Sequence, residues 1–206
     1  MRKIVVLVSG GGTNLQALID SISDGRINGR IVRVISSKPG VYALERAKSA
    51  DIACSVVCRA DYRSIEEYSD AIANEVENSG GDLVVMAGFL SILSQNFTRR
   101  FENAVINVHP SLVPAFCGAG YYGIKVHEAV LEYGAKITGA TVHFVNEQCD
   151  GGPIILQKSI EVRHDDTPQS LQLRVMTECE HPLLVQAVGL FCQGRIEICG
   201  RKTVIV

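Results

Sequence analysis

The chain has no tryptophan and only six phenylalanines and six tyrosines in 206 residues, so its core must be built largely from aliphatic side chains. It also lacks an excess of either charge, since 20 Lys and Arg against 22 Asp and Glu leave a formal net charge of -2. Duplex binding depends on neutralising many phosphates, so no nucleic-acid partner is expected. A single phosphate needs only a local pocket and stays open. No apolar run approaches the roughly 18 residues of a bilayer span, and no membrane association is expected. The opening MRKIVVLVSGGG breaks into glycine after a short apolar run and shows no small-residue cleavage site, so no signal peptide is expected. The seven cysteines, Cys54, Cys58, Cys117, Cys149, Cys179, Cys192 and Cys199, contain no C-x-x-C pair. An odd, unpaired set fits neither a disulfide framework nor a zinc site and points to reduced thiols in a cytoplasmic protein. No two histidines stand at metal-ligand spacing, so no metal is expected.

What is present is a 47% apolar chain with an alternating texture. Short β-branched runs at 3–9, 29–37, 53–58, 82–88 and 104–109 read as strands, with helices at about 13–24, 41–50 and 62–79 between them. That order is the signature of βαβ units around a parallel sheet. The runs VVLV and LVVM are apolar throughout, as strands covered on both faces are. After His109 a stretch rich in Gly, Pro and aromatics reads as a long ordered loop. A helix at about 124–134 follows, then two strands, ITGATVHFV and PIILQKSIEV, joined by NEQCDGG. A helix from Thr167 to about Gly194 has Thr167 as N-cap and Pro168 at its first position. The tail IEICGRKTVIV reads as a closing hairpin. The expected fold is α/β: an open, mostly parallel twisted sheet of Rossmann-like kind with helices on both faces and antiparallel strands in the C-terminal part. One domain is expected over 1–206.

Three places carry chemistry. VSGGGTN, residues 8–14, follows the first strand and opens the first helix. Its glycines let backbone approach a ligand, and N–H groups at a helix start attract an anion. The lysine of a P-loop is missing, and Leu15 stands where the dinucleotide pattern needs a third glycine, so the loop suits a single phosphate or is simply a tight turn. In INVHPS, strand alternation puts Asn107 and His109 on one face and Ile106 and Val108 on the other. Pro110 then stops the strand, leaving both polar groups at its carboxyl end, where open α/β sheets bind ligands. An amide beside an imidazole could stabilise an oxyanion and move a proton, or both could only satisfy loop carbonyls. Asp150, before Gly151 and Gly152, is either a turn former or a carboxylate aimed inward. Beside His109 it would raise the histidine's pKa and keep it protonated. His127 and His143 read as interior or surface residues, and His164 and His181 sit among charges.

Taken together, SGGGTNLQ, MAGFLSILS, INVHPSLVP, GATVHFV and DGGPIILQ, in this order and over nearly the whole length, closely resemble the phosphoribosylglycinamide formyltransferases of purine synthesis. The resemblance implies transfer of the formyl group of 10-formyltetrahydrofolate to the amine of glycinamide ribonucleotide. Asn107, His109 and Asp150 match the family's catalytic trio. Gly12, Thr13 and Asn14 match its phosphate loop, with Glu180 a further substrate contact. Leu90, Ser91, Ile92 and Leu93 match the folate side, together with Asn107 and the loop Asn146, Glu147, Gln148, Cys149 and Asp150. This divides the chain into a phosphate-binding half, about 1–100, and a folate-binding and catalytic half, about 101–206, in a monomer or homodimer. Ser91 stands where many relatives have Arg, Ile65 rather than Arg63 falls at another folate-facing Arg position, and Met176 replaces a polar or basic residue near the phosphate.

Within the same chemistry the alternatives are a sugar-nucleotide or aminoacyl-tRNA formyltransferase domain and a hydrolase that loses formyl to water. A non-catalytic nucleotide-binding module using only the glycine loop is the alternative of another class.

Overall fold

The computed structural model describes residues Met1–Val206, which divide into two compact units, Met1–Asn107 and Val108–Val206. The first is a parallel sheet in the order β3-β2-β1-β4-β5. Its strands are β1 (Arg2–Val8), β2 (Gly29–Ser36), β3 (Cys54–Val56), β4 (Leu83–Met86) and β5 (Val105–His109), whose last two residues belong to the second unit. Ile4 through Val8 are completely buried, as the unbroken apolar run of β1 requires of a strand covered on both faces. The helices are α1 (Thr13–Ser23), α2 (Tyr42–Ser49), α3 (Ile65–Asn78) and α4 (Gln95–Arg100). In α3 the buried Tyr68, Ile72 and Val76 repeat every fourth residue, the spacing that lays one helical face on a core.

The strand order reverses between β1 and β4, so the loops leaving their carboxyl ends flank a crevice, the usual ligand position in such sheets. Those loops carry the glycine run and Leu90–Leu93. They are tied together, since the amide of Leu90 donates to Ser9 Oγ at 2.9 Å, and Ser9 Oγ also meets Ser37 Oγ at 2.6 Å.

The second unit contains α5 (Ile124–Tyr133), strands β6 (Ile137–Phe144) and β7 (Ile154–Glu161), helices α6 (Pro168–Val175) and α7 (His181–Cys192), and the hairpin β8 (Ile196–Cys199) and β9 (Lys202–Ile205). Its strand order is β6-β7-β9-β8, with β6–β7 and β8–β9 antiparallel and β7–β9 parallel. Helix α7 packs on β6 and β7. The α6 N-terminus is as expected: Thr167 and Ser170 form a reciprocal capping box, with Pro168 between them in the first turn.

Three expectations are corrected. The helix expected from Thr167 to about Gly194 is interrupted by one π turn, Met176–Glu180. The strand expected at 53–58 shrinks to three residues, and the helix expected from 62 begins at Ile65, behind a short 3-10 turn at Arg59–Asp61. The six-residue α4 was not expected at all. No helix is long and apolar enough to cross a membrane.

Candidate active site

In the first unit the anion-ready element is the loop into α1. Gly12 has φ 72° and a Cβ placed on it would lie 2.7 Å from the Ala43 Cβ and 2.9 Å from its Cα, so both conformation and space demand glycine. Helix α1 has no side-chain N-cap and no acidic residue in its first turn, which favours a negative charge at that end. Arg46 reaches back from α2, its Nε donating to the Gly11 carbonyl at 2.8 Å and its Nη1 to Gln16 Oε1 at 2.9 Å. Its guanidinium also lies 4.8 Å above the Tyr42 ring. A fixed cation therefore holds the glycine loop, a feature that 34 intervening residues hid from the sequence reading. After β4, Leu90 is 53% and Ile92 65% exposed, so the segment turns aliphatic side chains outward at the carboxyl end of the sheet. Asn107 lies half-buried on β5 opposite Met86 of β4.

The second unit brings His109 and Asp150 together. His109 Nδ1 lies 3.5 Å from Asp150 Oδ2, both side chains nearly buried. His109 Nε2 lies 2.9 Å from the Phe116 carbonyl, which can only accept, so that nitrogen carries hydrogen. On the far side of the carboxylate His143 Nε2 is 3.6 Å from Oδ1. The Gly118 amide donates to Oδ2 at 2.8 Å, and the Cys149 thiol lies 3.8 Å from the same oxygen.

The turn that delivers Asp150 is held by main-chain packing. Asn146 Oδ1 accepts from the Gln148 amide at 3.0 Å, and the Gly151 amide donates to the Gln148 carbonyl at 2.9 Å. Asp150 itself sits at φ 51°. A Cβ on Gly152 would fall 1.8 Å from the Phe144 carbonyl oxygen, so no other residue fits there. Asp-Gly-Gly is thus a turn former and an inward carboxylate at once, two roles that sequence had set as alternatives.

Electrostatics adjust one expectation. Burial pushes the Asp150 pKa up, but the contact with His143, the charge on His109, the Gly118 amide and the charge on His143 outweigh it and hold the carboxyl at about 2. Asp150 does push the pKa of His109 upward, as expected. Burial is the larger effect, however, and with His143 opposing as well it leaves His109 below its ordinary value. The free protein therefore does not hold His109 charged in the way the sequence suggested. His127, completely buried on α5, is lowered to about 4, by burial and by His109. Glu180 closes the π turn. The sequence leaves His143 an interior or surface residue; its 1% exposure fits an interior position, and the fold reveals its carboxylate neighbour. No group of three or more His, Cys, Asp or Glu side chains is arranged to hold a metal ion.

In the second unit a buried imidazole beside a carboxylate suits proton handling in acyl transfer, and in the first unit the glycine turn at the start of α1 suits an anion. The chain belongs to the formyl transferase family, which matches residues 2–188. It is 38% identical over 198 residues to the phosphoribosylglycinamide formyltransferase of Haemophilus influenzae, covering 96% of this chain and 91% of that protein. The crystal structure of glycinamide ribonucleotide transformylase 1 from Symbiobacterium toebii superposes with a TM-score of 0.94 at 40% identity, covering 100% of this chain and 94% of the other. A formyltetrahydrofolate deformylase from Pseudomonas syringae shares the fold with a TM-score of 0.89 at 26% identity, covering 99% of this chain and 65% of the other. Within the family the resemblance is thus to the phosphoribosylglycinamide branch, at higher identity and over nearly the full length of both chains.

Proposed function

We propose that the protein transfers the formyl group of 10-formyltetrahydrofolate to the amine of N1-(5-phospho-D-ribosyl)glycinamide, a step of purine biosynthesis. The observation that carries this reading is the pairing of Asp150 with His109 at the end of the strand that also bears Asn107. Gly12, Thr13 and Asn14 receive the phosphate at the start of α1, with Glu180 a further substrate contact. Leu90, Ser91, Ile92 and Leu93 and the turn 146–150 take the folate, the exposed Leu90 and Ile92 supplying apolar surface. The enzyme acts in the cytoplasm, without a metal.

The amine attacks the formyl carbon, and the carbonyl π electrons move onto oxygen. Asn107 and the His109 N–H donate to that oxygen, which replaces the Phe116 carbonyl as acceptor. The developing negative charge raises the proton affinity of His109, so the ring takes up a proton during the step even though burial leaves it mostly neutral beforehand. The attacking nitrogen loses its proton through water to the Asp150–His109 pair. Collapse of the tetrahedral carbon breaks its bond to N10 of the folate, and that nitrogen leaves with the proton.

The test is turnover with both substrates beside a control lacking the amine. Formylated amine and tetrahydrofolate in equal amounts are expected. Formate release without amine consumption would instead identify a hydrolase, and binding without turnover a nucleotide-binding module.

A further inference from the structure

The glycine run ahead of α1 is held from α2 at two successive carbonyls. The Ala43 amide donates to the Gly10 carbonyl at 3.2 Å, and Arg46 Nε donates to the Gly11 carbonyl at 2.8 Å. The peptide bond from Gly11 to Gly12 is trans, so its N–H points opposite to its C=O. With the Gly11 oxygen drawn onto the Arg46 guanidinium, the Gly12 N–H turns away from that side chain. Packing leads to the same place from another direction. A Cβ on Gly12 would collide with Ala43 and come within 3.4 Å of Arg46 Cδ, so α2 fills the side of Gly12 where a side chain would stand. An anion at the start of α1 has to approach Gly12 from elsewhere, and the N–H is the group turned outward to meet it.

The guanidinium is itself fixed. Its Nη1 donates to Gln16 Oε1 at 2.9 Å, Gln16 Nε2 donates to Asp20 Oδ1 at 2.8 Å, and the Tyr42 ring lies 4.8 Å from the guanidinium carbon. Gln16 belongs to the first turn of α1, where its own amide donates to the Gly12 carbonyl at 2.9 Å. One planar fork thus spans the loop and the helix it opens, with Nε on the first and Nη1 on the second. A lysine ammonium would keep the charge but has no rigid pair of donors to hold both.

We propose that Arg46 is a positioning residue for the phosphate of the amine substrate: by fixing the Gly11 carbonyl it aims the Gly12 N–H at the phosphate oxygens, and so sets the preference for a phosphorylated amine. The proposal rests on the functional reading above, in which Gly12, Thr13 and Asn14 receive that phosphate. Arg46 acts through the loop and not on the reacting atoms, so its loss weakens binding while the chemical step keeps its rate.

The experiment pairs kinetics with an anion titration. Arg46→Met, Arg46→Lys and Gln16→Met are compared with wild type on the phosphorylated amine and on the same amine without its phosphate. In Arg46→Met the KM for the phosphorylated amine is expected to rise about 10-fold or more, the order of loss when a hydrogen bond to a charged group is misplaced. Both kcat and the KM for the folate are expected to stay nearly unchanged. The preference for the phosphorylated amine, as a ratio of kcat/KM values, is expected to fall by the same factor. Arg46→Lys is expected to resemble Arg46→Met, and Gln16→Met to show a smaller change of the same kind. A loss of kcat/KM equal for both amines would mark a mere prop of the fold, and full rescue by lysine would show that charge alone suffices; either result overturns the proposal. In 15N-labelled wild type, titration with inorganic phosphate is expected to move the Gly12 amide signal, and Arg46→Met is expected to need about 10-fold more phosphate for the same movement. A Gly12 signal that stays still in wild type, or moves at the same phosphate concentration in Arg46→Met, is equally fatal. If the Arg46 variants fail to fold, the wild-type titration and Gln16→Met still decide, an unchanged preference in Gln16→Met counting against the proposal. A wild type that does not formylate the amine, yet whose Gly12 signal responds to phosphate, would refute the functional reading and leave Arg46 as the residue that aims the loop at an anion.

Discussion

Replacing Asp150 by Asn keeps the size of the side chain and removes its charge, so the electrostatic part of its contribution can be isolated. The folded protein holds this carboxyl at about 2 against an ordinary 3.8. That offset corresponds to on the order of 2 kcal/mol of stability, present when the group is ionised in both folded and unfolded chains. A depressed folded-state pKa acts above the unfolded value and fades as pH falls through the folded one, so the contribution is complete above about pH 5 and gone near pH 2. Urea unfolding of wild type and Asp150→Asn at pH 6 is expected to differ by about 2 kcal/mol, and the gap is expected to close through the window from about 4 down to about 2. Turnover by the same variant is expected to drop by about 10²- to 10⁴-fold, the usual range for a lost proton-transfer group. A stability gap that stays constant with pH would show that the His109 and His143 contacts do not set the ionisation of Asp150, and the reasoning would fail.

Asn107→Ala is expected to lower kcat by about 10²-fold or more with a small change in KM, measured by steady-state turnover, because it removes one donor to the oxyanion. Gly12→Ala places a methyl group against Ala43 at φ 72°. It is expected to cost about 1–3 kcal/mol in chemical denaturation and to raise KM for the phosphorylated substrate more than KM for the folate. Thr167→Ala removes the reciprocal cap of α6 and is expected to cost about 1 kcal/mol by thermal or urea unfolding, with turnover unchanged.

The parts of the fold visible in sequence are those where local chemistry and tertiary position agree. Alternation along INVHPS put Asn107 and His109 on one face before any coordinates, and the Thr167-Pro168 pair marked a helix start that the capping box completes. Helix α4 escaped because six residues are too few for a period to emerge, and its start depends on Ser94, whose amide is held by Ser69 from α3. The π turn escaped because one extra residue in a helix barely disturbs apolar spacing. His143 escaped for a different reason. A polar residue in a buried strand looks the same in sequence whether its partner is a backbone carbonyl or a carboxylate from a turn several residues away. The pKa of His109 was misjudged in net direction because sequence named the neighbouring charge and could not weigh it against the depth of burial.

Because Gly152 has no room for even a methyl group beside Phe144, the position of Asp150 is dictated by backbone that tolerates no alternative there. The four residues ahead of it, Asn146 to Cys149, are exposed, and beyond the bond from the Gln148 amide to Asn146 that helps hold the turn their side chains carry no comparable restriction. Variation or engineering of this segment can therefore reshape what the loop offers to a formyl donor while the proton-handling group stays where it is.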